Sequence, residues 1–146
     1  MVMPPVSGAD RVSARADLTA SEFKALARAE RALDRIAAEG GAFITRFLDL
    51  TAERTGEGAV MNVENGVHLA NRVGHFQGGM QIGVALATAQ AALDSGWLAT
   101  GINVCYLRPG EGETFRAAAD IVHRGRTTAV ITTRISDAAD RAVLQA

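Results

Sequence analysis

Between Arg72 and Asp94 the chain carries no Asp, Glu, Lys or Arg, and inside that run stands the pair Gly78-Gly79. The first amides of a helix lack partners within it and lie at its positive end. Glycine sets no Cβ in front of them. Two glycines at a helix start therefore suit an oxygen that gains negative charge, as a carbonyl oxygen does during acyl transfer. The other reading of the pair is close packing of helix on sheet. Polar groups flank it. Gln77 can donate an amide N–H to the same oxygen or fix the loop. Asn71 can hold an attacking water or brace a turn. Gln90 follows Leu86 by four residues and shares its helix face, whereas Thr88 lies on another. A buried Gln or Thr must find a partner, in a ligand or across an interface between chains. Neither is a base at neutral pH.

His68 and His75 lie near this string, and imidazole is a natural proton acceptor; His123 is remote in sequence. His75 and Glu64 are the candidate bases, set against the usual role of a lone histidine as a surface or satisfied residue. Phe76, Met80 and Ile82 point to an apolar pocket. Arg108, Arg124 and Arg126 fall near strand ends, where they suit phosphates or simply stand in solvent. Cys105, between Val104 and Tyr106, reads as core packing rather than a nucleophile.

The elements that must position these groups are legible in outline. Thr19 and Glu22 have the spacing of a capping box, followed by Phe23, Leu26, Leu33 and Ile36 at roughly helical spacing and a stop at Gly40-Gly41. Residues 42–53 and 58–64 read as strands joined by a glycine turn. A glycine-led helix over about 78–94 follows, then strands over 98–108, 114–124, 126–136 and 141–146, punctuated by Pro109-Gly110, Gly125 and the Asp-Ala-Ala-Asp run at 137–140. This is α+β, with the sheet curled about an apolar helix. The sheet covers one side of that helix; a single modest outer helix leaves a partner subunit as the expected cover for the other.

The totals agree. A chain of 146 residues, 48% hydrophobic and 21% charged, is one globular domain by size and composition. A net charge of −1 argues against a nucleic-acid partner. One cysteine excludes an intrachain disulfide and argues against a cysteine zinc site, so a reducing, cytoplasmic setting is expected. Residues 1–18 lack the apolar core of a signal peptide and are expected to form a flexible arm. The apolar run at 80–93 is too short to span a membrane.

The element order and the string Asn71-Arg72-Val73-Gly74-His75-Phe76-Gln77-Gly78-Gly79 resemble the hotdog-fold acyl-CoA thioesterases of the phenylacetate-degradation type. Members carry Asn-x-x-Gly-x-x-His-Gly-Gly before the central helix; here Gln77 holds the place of the histidine. The runs 106–113 and 123–126 are also similar, and the likeness covers roughly residues 42 to 146. The family usually has an acid nine residues after its histidine. Leu86 stands there in this chain, so that carboxylate does not carry over. The resemblance implies a hotdog fold over residues 19–146 and hydrolysis of an acyl-CoA to a carboxylic acid and CoA. Asn71, Gln77, Gly78, Gly79 and Gln90 would be catalytic. His75, Phe76, Thr88, Arg108, Arg124 and Arg126 would meet the substrate, the Arg124–Arg126 run near its nucleotide end. Gln90 and Thr88 match the amide and hydroxyl that fused double-hotdog thioesterases use to position water. No metal is implied, and no cofactor beyond the coenzyme A of the substrate. The expected assembly is a homodimer or a tetramer, without membrane or nucleic acid. A non-hydrolytic acyl-CoA-binding protein is the alternative that Leu86 favours. A dehydratase or hydratase of acyl thioesters ranks last, because no suitably spaced Asp–His pair is present.

Overall fold

The structure, a computed structural model, describes residues 18–41 and 43–146. The expected arm lies outside the described residues except for Leu18. Helix α1 spans Ala20–Glu39. Its capping box forms as expected: Glu22 N–H donates to Thr19 Oγ1 at 3.3 Å and Thr19 N–H to Glu22 Oε2 at 2.7 Å. Gly40, at φ 72°, ends the helix and donates its N–H to Ile36 O. Only Ala32 of this helix is buried.

The expected strand over 42–53 is corrected. Phe43–Leu48 is a short helix, α2, and strand β1 begins only at Glu53, running Glu53–Thr55. The aromatic residues that look strand-like stand four apart, so in a helix Phe43 and Phe47 stack with centroids 5.4 Å apart. Arg28 of α1 donates to the carbonyls of Phe47 and Leu48, satisfying the end of α2. These contacts with α1 override β-propensity.

Strand β2 is Gly58–Glu64, joined to β1 by the two-residue turn Gly56-Glu57, with Gly56 at φ 51°. Helix α3 is Gly78–Ala91, three residues shorter than expected. Beyond it, Leu93 N–H bonds to Gln90 O, and Gly96 at φ 99° turns the chain away. The remaining strands are β3 Cys105–Tyr106, β4 Thr114–Arg124, β5 Ala129–Asp137 and β6 Ala142–Gln145. The sheet order is β1-β2-β4-β5-β6-β3, antiparallel throughout. Strand β3 is far shorter than the expected 98–108, because at the sheet edge it has only the four-residue β6 to pair with. Cys105 is exposed there, which corrects its reading as core.

Helix α3 lies against β2, β4 and β5. Gln81, Val84, Ala85, Thr88 and Ala92 fall on one face at helical spacing and are buried. With Met61, Phe76, Phe115, Ile135 and Leu144 that face makes the core. The opposite stripe, Gly79, Ile82, Gly83, Leu86 and Gln90, is half-buried to exposed. The sheet thus covers one side of the helix, as expected, and the apolar residues on the other side remain partly open.

Candidate active site

The loop that delivers the chain to α3 is held by its own polar groups. Asn71 Oδ1 accepts from the amides of Val73 and His75, each at 3.0 Å, and Gly74, at φ 83°, donates to Asn71 O. Of its two expected roles, Asn71 performs the bracing one. Ala70 and Phe76 form an isolated antiparallel bridge. Phe76 N–H bonds to Gly110 O at 2.8 Å and Gln77 N–H to Leu69 O at 2.9 Å. Asn65 adds a clamp: its Nδ2 donates to Gly74 O and to Gly112 O, at 2.9 and 3.0 Å. Sequence reasoning missed Asn65; its only signal was an Asn before Gly66 in a loop.

Gln77 is the N-cap of α3. Its Oε1 accepts from Met80 N–H at 2.8 Å, and Gln81 N–H bonds to Gln77 O at 3.0 Å. The amides of Gly78 and Gly79 are therefore the two left without a partner in the helix. The two glycines differ. Tyr106 Oη donates to Gly78 O at 3.0 Å, and a Cβ on Gly78 would stand 3.1 Å from that oxygen. Close packing thus explains Gly78. Gly79 is exposed, and the nearest atom to a Cβ there would be the capping Gln77 Oε1, at 3.1 Å. Tyr106 was another residue that pattern reading passed over. Gln81, 3% exposed, donates from Nε2 to Phe76 O at 2.8 Å and ties the first turn to the loop.

Gly79, Ile82, Leu86 and Gln90 share the open stripe, so Leu86 lies about 10 Å along the helix from Gly79. There a cleft of about 430 Å³ opens between α3, the segment 97–103 and the first part of β5. Leu86 and Gln90 line it, with Trp97, Ile102, Asn103 and Thr128, and its lining includes no Asp, Glu, Lys, Arg or His. The structure thus sets Gly79, Leu86 and Gln90 on one stripe of α3, while the lining of the cleft begins at Ala85 and includes neither glycine.

Other expected site residues fall elsewhere. Phe76 is a core residue, its ring 5.0 Å from that of Phe115, rather than a substrate contact. Thr88 is fully buried and donates to Val84 O at 2.8 Å, so its hydroxyl is used within the helix. The three arginines do not cluster. Arg108 Nη1 donates to Ala142 O at 2.7 Å, and Ala142 pairs with Ser136 near the far end of β5. Arg124 and the exposed Arg126 sit at the β4–β5 turn, roughly 20 Å away by strand rise. Arg124 pairs with Asp94 and lies over Trp97, 5.8 Å from the ring centroid. Arg54 also binds Asp94, at 2.7 Å. Hydrogen bonds from Arg54 and then Arg124 hold the Asp94 carboxyl down to about 2.

Glu64 and His68 belong to a second, charged cleft with Arg28, Asn62 and Arg116. Glu64 alternates with buried Val63 on β2 and so faces away from α3. Burial lowers the pKa of His68, Arg28 lowers it further, and Glu64 partly opposes them. His75 stays with the loop, its Nε2 3.9 Å from Glu111 Oε1.

No family model matches the chain, and no curated protein sequence does. Its structural neighbours define the class: this is a hotdog-fold α+β protein, as the resemblance implied. Among them, the BH2602 protein of Bacillus halodurans, solved with CoA, is 18% identical with a TM-score of 0.73, over 88% of this chain and 91% of that one. The PaaI protein of the E. coli phenylacetic acid degradation operon is 23% identical with a TM-score of 0.62, over 85% and 94%. Thioesterase HI1161 of Haemophilus influenzae is 18% identical with a TM-score of 0.64, over 77% and 82%. Among the described residues no helix is long and apolar enough to cross a membrane.

Proposed function

We propose that the protein is an acyl-CoA thioesterase, in which water attacks the thioester carbonyl while the Gly78 and Gly79 amides hold the oxygen. The carrying observation is that the glycine-led start of α3 leaves two amides without a helical partner, on the same helix whose later turns line an uncharged cleft suited to an acyl group. Gln77 caps the helix, and Asn71 braces the loop, so that the amides are fixed before substrate arrives. Gln90 lies beside the cleft, where its amide can bind the acyl group or the water. Arg124 and Arg126 on the β4–β5 turn are the arginines offered to the phosphates of coenzyme A. A CoA-bound neighbour and neighbours named as thioesterases support the reading. A second copy of the chain is the proposed cover for the half-open stripe of α3, in a homodimer or a tetramer. The single exposed Cys105 suits a reducing cytoplasm.

Leu86 favours a second reading, binding of acyl-CoA without hydrolysis, because α3 supplies no acid or base along the cleft. One assay separates the two: a panel of acyl-CoAs with thiol release followed by a chromogenic reagent. Gly79→Pro deletes one amide donor in the first helical turn, where proline is tolerated. It should lower kcat by about 10²–10³-fold with helicity by circular dichroism unchanged. Binding without thiol release across the panel would sustain the second reading instead.

A further inference from the structure

We propose that His75, oriented by Glu111, is the general base of this site, an assignment that rests on the thioesterase reading. Hydrolysis by water needs a proton acceptor. No residue of α3 between Gly78 and Ala91 ionises at neutral pH. The loop that starts the helix carries one ionisable pair within 4 Å, His75 Nε2 and Glu111 Oε1 at 3.9 Å. Both are set by backbone bonds. Phe76 is buried and paired with Ala70; His75, half-buried in the bend just before it, precedes Gln77 by two residues. Gln77 is the cap beside the free amides. Glu111 is held by its own N–H to Pro109 O and by the bond from Phe76 N–H to neighbouring Gly110 O, while Asn65 grips Gly112. A Cβ on Gly110 would stand 2.8 Å from Phe76 Cβ, so the two loops meet backbone to side chain.

The competing groups are committed elsewhere. Tyr106 Oη bonds to Gly78 O, Asp94 is held by two arginines, and Glu64 and His68 lie in the other cleft. With Nε2 facing the carboxylate, Nδ1 is the nitrogen that takes the proton. A water oxygen bonds to the carbonyl carbon as its proton passes to His75. Collapse of the tetrahedral intermediate then breaks the C–S bond, its electron pair leaves on sulfur, and the proton goes from His75 to the thiolate. Acid and CoA result, with no other reactant. The present separation is looser than a hydrogen bond, as is common before substrate binds.

His75→Ala should lower kcat by about 10²–10³-fold, leave CoA binding unchanged, and regain turnover in proportion to added imidazole. Glu111→Gln should cost about tenfold, through orientation alone. A structural role for His75 would not be rescued by imidazole. Undiminished turnover in His75→Ala, or a loss that imidazole does not restore, overturns the assignment. If Gly79→Pro loses turnover while His75→Ala keeps it, the thioesterase reading stands and His75 falls. If the wild-type protein hydrolyses none of the panel, both fall.

Discussion

The two long helices are stabilised by opposite means. Helix α1 is charged, capped by a full capping box, and buries one residue. Helix α3 is uncharged, is capped by a glutamine, which is outside the favoured N-cap types, and buries a whole face. Local chemistry holds the first; the sheet holds the second. The difference teaches why the site is where it is. Each helix leaves its first two amides without a capping partner, but in α1 they belong to Ala20 and Ser21 on a helix that buries one residue, whereas in α3 they belong to two glycines on a helix held in place by the sheet.

Placing one charge in each helix gives the largest contrast. Ala85→Asp sets an unpaired carboxylate on the buried face of α3, a cost of several kcal/mol, comparable with the whole stability of a domain. No cooperative urea transition should remain. Ala38→Asp in the exposed last turn of α1 should cost only about 1 kcal/mol, from lost helix propensity and the unfavourable helix end. Equal effects would mean that α3 is not held by the sheet.

Removing the caps gives a smaller effect. Thr19→Ala and Gln77→Ala should each cost about 1 kcal/mol in urea denaturation. Only Gln77→Ala should also lower thioesterase turnover, because only that cap fixes the amides.

The smallest effect concerns acid. The hydrogen bonds from the Thr19 side chain, then its backbone, lower the Glu22 pKa. A group depressed in the folded state contributes above its ordinary range, and that contribution is lost as pH falls through the folded value. The stability gap between wild type and Thr19→Ala should therefore narrow on acidification from about pH 6 to about pH 3, well within the span of carboxylate titration. A gap that widens would contradict this capping geometry.

Much of this frame is legible in the sequence because its signals are local. Thr19 and Glu22, the glycines at 40, 56 and 78, and the alternation from Thr114 to Arg124 each mark an element within a few residues. What was not legible depends on residues far along the chain. Phe43 and Phe47 read as strand until Arg28 caps their helix. Cys105 reads as core until β3 proves to be an edge. Asn71 and Gln77 stand where the pattern placed them, but their bracing and capping roles follow from loop geometry. Glu111 reaches His75 only because Gly110 binds Phe76.

The pairing of β2 with β4 joins residues about fifty positions apart, since Glu64 meets Thr114. All of α3 lies between them. Closing a loop of that length carries an entropy cost that no local hairpin shares. Refolding should therefore be governed by that closure and fall in milliseconds to seconds, with the β4–β5 hairpin able to form early and the β2 edge sealing last.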